Sequence, residues 1–258
     1  MTRFRLALLG DPVEFSKSPL IHRQMLAMSG LDGEYLTIRA DHSVLTSEVD
    51  ALRRGDRHGL NVTMPLKGAA AAAADRLSDE AQRAGSVNTL SRQGDQVIGH
   101  STDAQTFASL LADPRFSSAA SILLLGAGGS AAAALATGVD RPVYLAARRS
   151  AQAARVTSAL GGEVIPWGAA VLGALLVNTT PLGMNGEALP REVLRAATGL
   201  IDLPYGPSPT PAVARAAEMG IPFADGFEFL VRQATASFRI WTGVEIDHQS
   251  LLLRLRNA

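Results

Sequence analysis

Lys67 and Asp103 are titratable residues that each follow the end of a predicted strand. In open α/β sheets, ligands bind outside the carboxyl ends of the strands, so these two side chains could reach the same cleft. A lysine beside an aspartate can move a proton to or from a bound ligand. Only two lysines occur in the chain, against many arginines, and this scarcity favours a special role for Lys67.

Both residues also have a structural interpretation. Lys67 could begin a helix and pair with Asp75 or another surface acid. Asp103 could be the N-cap of a helix that starts at Ala104, because aspartate is a favoured capping residue. Since capping and catalysis are compatible, Lys67 and Asp103 stand as the predicted proton-transfer pair.

Hydroxyl and amide side chains also gather at the ends of other predicted strands, in the segments 10–19 and 87–89. Such groups suit a polyhydroxylated ligand. Residue types alone leave alternatives open. Ser16 and Ser18 could only shape a turn, and Asn88 could be an amide that satisfies a strand end.

A glycine-rich turn separates an apolar, β-rich run, residues 122–125, from a helix-forming run, residues 132–135. Dinucleotide folds need small residues at the first, third and sixth positions of such a turn, for the tight bend, the approach of the pyrophosphate and close helix packing. The amides at the start of the helix favour phosphate. The sequence therefore predicts a nucleotide site at Gly126-Ala127-Gly128-Gly129-Ser130-Ala131.

Two arginines follow the next predicted strand, residues 143–146. An NAD enzyme places an acid here for the ribose hydroxyls, whereas a cation accommodates a 2′-phosphate. Arg148 and Arg149 therefore predict NADP as the cofactor, with a solvated surface position as the alternative for each side chain.

Strand-like and helical runs alternate along the chain, which predicts an α/β fold with parallel sheets. The predicted strands are residues 5–9, 34–39, 60–63, 86–91, 96–99, 122–125, 143–146, 163–166, 175–178 and 200–203. The predicted helices include residues 19–28, 43–53, 67–74, 227–241 and 248–255. Residues 93–95 predict a hairpin turn. We expect the last two helices to pack back on the first domain, because no strand follows them.

Composition excludes several functional classes. Lys+Arg and Asp+Glu are both 24, so the formal net charge is zero and nucleic acid is not an expected partner. The absence of cysteine excludes disulfides and thiolate catalysis, and the five histidines lack a metal-ligand spacing, so no metal is predicted. No apolar stretch reaches membrane-spanning length and none is typical of a signal peptide, so we expect a cytoplasmic protein without a membrane partner.

Several segments resemble the shikimate dehydrogenases. Ser16-Lys17-Ser18-Pro19 is similar to the serine-lysine-serine-proline loop of that family, and residues 61–67 are similar to its asparagine-valine-threonine-x-proline-x-lysine signature. Segments 84–89, 102–103, 178–184 and 225–233 follow in the family's order. The resemblance covers nearly the whole chain. Its lysine and aspartate motifs are specific, whereas the glycine turn is shared by many dehydrogenases.

The resemblance implies reversible, NADP-linked reduction of 3-dehydroshikimate to shikimate, a step of chorismate and aromatic amino-acid biosynthesis. It implies a substrate domain, residues 1–103 and 225–258, completed by C-terminal helices, and a Rossmann-type NADP domain, residues 104–224. Lys67 and Asp103 would transfer the proton. The residues implied to contact the substrate are Ser16, Ser18, Thr63, Asn88, Tyr205 and Gln233. Those implied to line the nucleotide site are residues 126–131, Arg148, Arg149, Leu203 and Gly226, with Asp79 at its edge.

The chain departs from the family pattern at two places. Ala147-Arg148-Arg149 stands where asparagine-arginine-threonine is usual, so one amide contact is missing and a second arginine appears. Ser101 replaces the common asparagine before Thr102-Asp103. The use of NAD and the oxidation of quinate, as in relaxed members of the family, therefore stay open.

Two functions from other classes are alternatives. A methylenetetrahydrofolate dehydrogenase shares a catalytic lysine and a nucleotide turn, but it should lack the Ser16-Lys17-Ser18 loop and Gln233. A non-catalytic NADP-binding sensor would be expected to lack Lys67 or Asp103, and both are present. The sequence favours an enzyme of the shikimate dehydrogenase family that acts on a small molecule, as a monomer or a homodimer.

Overall fold

The computed structural model describes residues 3–257, which form two compact units. The first unit comprises the described residues up to Gln105 together with those from Leu230 onward, and the second runs from Thr106 to Phe229. The domain limits expected from the sequence, after residue 103 and before residue 225, stay a prediction. Residues 1, 2 and 258, which the expected substrate domain includes, lie outside the described residues.

A six-stranded mixed sheet forms the centre of the first unit. Its strands are β1 Phe4–Gly10, β2 Gly33–Arg39, β3 Gly59–Val62, β4 Arg76–Leu77, β5 Thr89–Gln93 and β6 Gln96–His100. They are ordered β2-β1-β3-β5-β6-β4. β1 pairs in parallel with β2 and β3, whereas β5 runs antiparallel to β3 and β6. The carboxyl ends of β1 and β3 therefore lie side by side at one edge of the sheet.

The second unit contains a six-stranded sheet in which all strands are parallel. Its strands are β7 Ser121–Leu125, β8 Val143–Ala146, β9 Glu163–Ile165, β10 Ala174–Asn178, β11 Gly199–Asp202 and β12 Phe223–Ala224. Read from β9, the order β9-β8-β7-β10-β11-β12 is the 3-2-1-4-5-6 order of doubly wound nucleotide-binding sheets. Helices that cover both faces explain why β7 and β10 are uninterrupted buried runs.

Helices connect most of the successive strands along the chain, and the last two helices follow the last strand. They are α1 Ser18–Ser29, α2 His42–Arg54, α3 Lys67–Ala73, α4 Asp79–Ala84, α5 Thr102–Leu111, α6 Gly129–Leu135, α7 Ser150–Leu160, α8 Arg191–Arg195, α9 Pro211–Glu218, α10 Gly226–Thr242 and α11 His248–Arg256. A 3-10 turn covers Pro114–Phe116. Among residues 3–257, no helix is both long and apolar enough to cross a lipid bilayer.

The predicted α/β fold and the hairpin at residues 93–95 are confirmed, with Gln93 paired to Gln96 across the turn. The predicted strand 86–91 is wrong at its start, since β5 begins only at Thr89. The amide of Val87 donates to the carbonyl of Lys67 instead of joining a strand ladder. The two-residue strands β4 and β12 and the six-residue helix α4 were not predicted, because they are too short to show a periodic pattern.

The C-terminal helix α10 packs on the first sheet, and α11 belongs to the same unit, as the sequence predicted. Trp241, near the end of α10, donates its indole N–H to the carbonyl oxygen of Leu90 at 3.0 Å. Its ring lies directly on Gly59 of β3, where a Cβ atom would come within 2.4 Å of the indole. α10 is therefore fixed against the middle of this sheet.

His22 lies in the core beneath these elements and packs rather than reacts. Its ring stacks on Tyr35 with a centroid separation of 4.1 Å, and Trp241 lies 5.4 Å away. Neither ring nitrogen has a hydrogen-bond partner in the described part of the chain. Burial lowers the pKa of His22 to about 3, and the neighbouring Asn61 amide partly opposes this effect. The folded protein therefore holds a neutral imidazole.

This burial predicts a loss of stability in acid. Below pH 6.5 the unfolded chain gains a proton on His22 that the folded protein does not take up until about pH 3, so folding becomes less favourable as the pH falls. At pH 5 the loss is about 2 kcal/mol. His22→Phe keeps a stacked ring and removes the titration, so urea unfolding should show a smaller difference in stability between pH 7.5 and pH 5 than in the parent protein.

His42→Phe is the matched control, because His42 is exposed at the start of α2. It should leave the pH dependence of stability unchanged. An equal fall in stability between pH 7.5 and pH 5 for His22→Phe and the parent protein would contradict the assignment of a buried neutral imidazole.

Candidate active site

Lys67 and Asp103 meet at the edge of the first sheet. Lys67 begins α3, five residues after β3 ends at Val62, and Asp103 lies in the first turn of α5, after β6. Lys67 Nζ lies 2.5 Å from Asp103 Oδ2. The lysine side chain is 23% exposed and the aspartate side chain 8%. The pair is therefore anchored on its carboxylate side and open on its ammonium side.

The structural alternatives for this pair are wrong in part. Lys67 does begin a helix, but Asp75 pairs with Arg53 and not with Lys67. Asp103 is not the N-cap, because α5 already includes Thr102 and the amide of Ala104 donates to the hydroxyl of Ser101. Ser101, the residue that departs from the family pattern, thus has a capping role at the start of α5.

Asn88 holds the carboxylate of Asp103 from the other side. Its Nδ2 donates to Asp103 Oδ1 at 3.1 Å, to Thr102 Oγ1 at 2.8 Å and to Gln233 Oε1 at 2.8 Å. Its Oδ1 accepts the backbone amide of Thr102 at 2.8 Å, which fixes the direction of the side-chain amide. Three acceptors thus surround two amide hydrogens. Asn88 and Gln233, both predicted to contact the substrate, lie in direct contact with each other, and Asn88 also contacts Asp103 of the predicted proton-transfer pair.

A buried cluster of hydroxyls supports this arrangement from below. Thr89, Thr102 and Ser237, here called the hydroxyl cluster, lie 2.8–3.4 Å from one another. Asn61 Nδ2 donates to Thr89 and Ser237, and Asn61 Oδ1 accepts the Tyr35 hydroxyl at 2.8 Å. All five side chains are buried, so their hydrogen bonds replace solvent.

The predicted serine loop lies at the same sheet edge, because β1 and β3 are parallel neighbours. Ser16 Oγ donates to Ser18 Oγ at 3.1 Å and accepts the amide of Ser18. The backbone amide of Asp11 donates to the carbonyl of Met64, which joins the serine loop to the segment that carries Thr63. Both serines and Thr63 therefore belong to the set of loops that also leads to Lys67.

The glycine turn of the second unit has the backbone that its pattern predicts. Gly126 follows β7 with φ +107°, a left-handed region that disfavours side chains, and α6 begins at Gly129. A Cβ atom at Gly126 would lie 2.5 Å from the hydroxyl oxygen of Thr179. Ala131 is fully buried on α6, where a small residue allows close contact between helix and sheet.

Most of the other residues predicted to bind the nucleotide belong to this unit. Arg148 and Arg149 follow β8 and are exposed, and their side chains form no hydrogen bond or ion pair within residues 3–257. Leu203 follows β11, and its carbonyl oxygen would be 2.1 Å from a Cβ atom at Gly226, so only glycine fits there. Tyr205, predicted to contact the substrate, also belongs to this unit. Asp79 belongs to the first unit and is exposed in the first turn of α4.

Known proteins resemble this chain over most of its length. Residues 8–90 match the family model described as the shikimate dehydrogenase substrate binding domain. An NADP(+) shikimate dehydrogenase of Acidiphilium cryptum is 40% identical over 252 residues, which are 93% of this chain and 91% of the relative. One of Gluconobacter oxydans is 36% identical over 249 residues, with coverage of 92% and 89%. The chain belongs to the shikimate dehydrogenase family.

Solved structures of the family agree with this assignment. Shikimate 5-dehydrogenase from Thermus thermophilus, in complex with NADP(H) and shikimate, superposes with a TM-score of 0.88 at 30% identity, covering 98% of this chain and 99% of that one. A chorismate mutase/shikimate 5-dehydrogenase fusion protein from Clostridium acetobutylicum gives a TM-score of 0.90 at 27% identity, with coverage of 100% and 98%. The family predicted from the sequence motifs is confirmed.

Sequence reasoning missed several polar residues of this family member. Ser237 was not singled out, and Thr89 and Thr102 were included only as members of polar segments at strand ends, without a role of their own. Ser237 stands four residues after Gln233, one helical turn on the same face, and this spacing was the available signal. In the second unit, Asn178 and Asp202 end two buried strands, where a polar residue needs a specific partner.

The hydroxyl cluster predicts an energetic cost for the loss of one member. Ser237→Ala removes a small group whose oxygen contacts Asn61, Thr89 and Thr102, so it should lower the free energy of unfolding by about 1–3 kcal/mol. Thr235→Ala is the control on the same helix, since within residues 3–257 its hydroxyl bonds only to the carbonyl of Arg232, and it should cost less than about 0.5 kcal/mol. Urea titration of both variants measures this, and equal stabilities would argue against the cluster.

Proposed function

We propose that this chain catalyses the reversible, NADP-linked reduction of 3-dehydroshikimate to shikimate, in the biosynthesis of chorismate and aromatic amino acids. The observation that carries the proposal is the contact between Lys67 Nζ and Asp103 Oδ2, at the carboxyl edge of the first sheet. Family membership and relatives named shikimate dehydrogenase (NADP(+)) support it. The proposed enzyme acts on a small molecule in the cytoplasm, as a monomer or a homodimer.

The donor set of the second unit fits NADP. The turn at Gly126 brings backbone without side chains to the end of β7, beside the switch point of the sheet between β7 and β10. The guanidinium groups of Arg148 and Arg149, which follow β8, have no partner within residues 3–257 and are suited to a phosphate on the adenosine ribose. When bound, NADPH supplies the hydride.

Lys67 performs the acid–base part of the proposed reaction. As the ketone carbon is reduced, its oxygen develops alkoxide charge, which a nearby ammonium stabilises. Lys67 Nζ then donates a proton to that oxygen, and in the oxidative direction the neutral amine takes the proton from the hydroxyl. Asp103 holds Nζ in place through the 2.5 Å contact.

The remaining site residues are proposed to bind the hydroxylated ring. Ser16, Ser18 and Thr63 supply hydroxyls from the loops after β1 and β3, and Gln233 supplies an amide from α10. Tyr205 is proposed to contribute from the loop after β11. Asn88 is proposed to bind the substrate in addition to its contact with Asp103. Of its three acceptors, Gln233 Oε1 is the one that a substrate oxygen would replace.

Removal of the Lys67 ammonium should abolish most of the catalytic activity. Lys67→Met keeps the length of the side chain and removes the ammonium, so kcat should fall about 10²–10⁴-fold in both directions. The KM values should change little, because the loss is in the transition state. Initial rates of nicotinamide reduction, with shikimate and NADP, measure this.

Arg83→Met is the control for that experiment, because Arg83 is an exposed cation near the end of α4. It should keep full turnover. Near-normal kcat in Lys67→Met would refute the proposed role of the lysine. If the parent protein binds NADPH but turns over neither shikimate nor quinate, the enzymatic proposal itself fails.

Cofactor choice should depend on the arginines. Arg148→Gln should raise the KM for NADP at least about tenfold, since a charge-assisted hydrogen bond to phosphate contributes roughly 1.5–3 kcal/mol. The KM for NAD should stay within about twofold, because NAD lacks the 2′-phosphate. Arg149→Gln tests the second cation in the same way.

Arg155→Gln, which changes an exposed arginine on α7, is the matched control and should leave both KM values unchanged. Rates with shikimate or quinate, each paired with NADP or NAD, complete the comparison. Equal effects of Arg148→Gln on NADP and NAD would contradict phosphate recognition by this side chain.

A further inference from the structure

Asp202 is a fully buried carboxylate that the proposed mechanism does not use. It is 0% exposed and ends β11, a strand whose other residues are also buried. In the parallel ladder it lies opposite Asn178, the last residue of β10. A buried charge needs specific hydrogen-bond partners, so the partners of this carboxylate show which chain segments it joins.

The carboxylate joins three chain segments. Its Oδ1 accepts from Asn178 Nδ2 at 2.7 Å. Its Oδ2 accepts from the hydroxyl of Thr210, whose oxygen also caps α9 by accepting the amide of Val213. Asp202 thereby ties the end of β10 to the start of α9, and the segment 203–209 becomes a loop with both ends fixed.

Asn178 carries this anchoring to the glycine turn. Its Oδ1 accepts the amide and the hydroxyl of Thr180, and its Nδ2 also donates to the carbonyl of Leu182. Between these residues, Thr179 donates its hydroxyl to the carbonyl of Leu125 at 2.7 Å and lies against Gly126. A shift of Asn178 would therefore move Thr179 away from the turn.

Leu203 depends on the same anchor. Its amide donates to the carbonyl of Asn178 at 3.0 Å, and its own carbonyl lies against Gly226, with no room for a side chain between them. The backbone of Leu203 is thus fixed on both sides, one residue after Asp202.

The position of these loops assigns them to one half of a dinucleotide. A doubly wound sheet binds the two halves of a dinucleotide on either side of its switch point, here between β7 and β10. Arg148 follows β8 on one side, where the proposed function places the adenosine 2′-phosphate. The ends of β10 and β11 are on the other side of the switch point, so these ends are the ones that would bind the nicotinamide half.

We propose that Asp202 is a positioning residue, which holds Thr179 and Leu203 in the arrangement that receives the nicotinamide half of NADP. This inference rests on the proposed function for the identity of the cofactor. Burial raises the pKa of Asp202 to about 6, hydrogen bonds from Thr210 and Asn178 oppose this effect, and the charge of Asp225 adds to it. The anion, which accepts from both donors, is the form that predominates at neutral pH.

Asp202→Asn tests the proposal, because it keeps the shape and replaces one acceptor oxygen by a donor nitrogen. The dissociation constants of NADPH and of 2′,5′-ADP, which lacks the nicotinamide half, are measured by fluorescence titration and calorimetry. We expect the constant for NADPH to rise at least about tenfold, as expected when a hydrogen bond to a charged group is lost. The constant for 2′,5′-ADP should stay within about twofold of the parent value, because this ligand lacks the nicotinamide half. A tenfold change in a dissociation constant corresponds to about 1.4 kcal/mol.

Asp140→Asn, at an exposed aspartate of the same unit, is the control and should change neither constant. Unchanged NADPH binding in Asp202→Asn, or equal weakening of both ligands, would overturn the positioning role. If Asp202→Asn does not fold, Thr210→Val removes one donor and should weaken NADPH, but not 2′,5′-ADP, about threefold, as expected for a neutral hydrogen bond.

Failure of this inference is separable from failure of the proposed function. Turnover of shikimate with NADP by the parent protein, together with unchanged ligand binding in Asp202→Asn, would keep the function and remove the role of Asp202. A parent protein without turnover, whose Asp202→Asn variant selectively loses NADPH, would remove the function and keep Asp202 as a positioning residue for the cofactor.

Discussion

The fixed direction of the Asn88 side-chain amide is the constraint on which the candidate site of the first unit depends. The backbone amide of Thr102 binds Oδ1, so Nδ2 must point toward Asp103 and Gln233. If the side-chain amide of Asn88 were flipped, its Oδ1 would face the Asp103 carboxylate and repel it. The orientation of one amide thus determines that Asp103 presents its other oxygen to Lys67.

Both units contain polar side chains that are buried within strands or at strand ends. A buried polar residue costs free energy unless its hydrogen bonds are completed by protein groups. Asn61 and Asn88 complete theirs with hydroxyls and a carboxylate, and Asp202 completes its own with Asn178 and Thr210. Because each of these sets spans several elements, the hydrogen bonds that satisfy the core also fix the loops above it.

The sequence was informative where a local pattern carries the information. Periodicity located the long strands and helices, and the glycine spacing located the turn at Gly126, because both depend on neighbours along the chain. The contact of Asn88 with Gln233, 145 residues apart, leaves no such pattern and was not predicted, and only the family resemblance implied that both residues contact the substrate. Ser237 and Asp202 were missed because a hydroxyl on a helix or a carboxylate after a strand is ordinary until its partners are known. The register of β10 and β11, which sets Asp202 beside Asn178, is a property of the folded sheet.

The asymmetry of the Lys67–Asp103 pair follows from donor and acceptor counts. Asp103 uses both carboxylate oxygens on protein groups, one for Asn88 and one for Lys67. The Lys67 ammonium has three hydrogens and, within residues 3–257, donates only to Asp103. Two hydrogens therefore remain on the more exposed partner. An anchored carboxylate and an ammonium with spare donors divide the work, since one positions the pair while the other can bind and protonate a substrate oxygen.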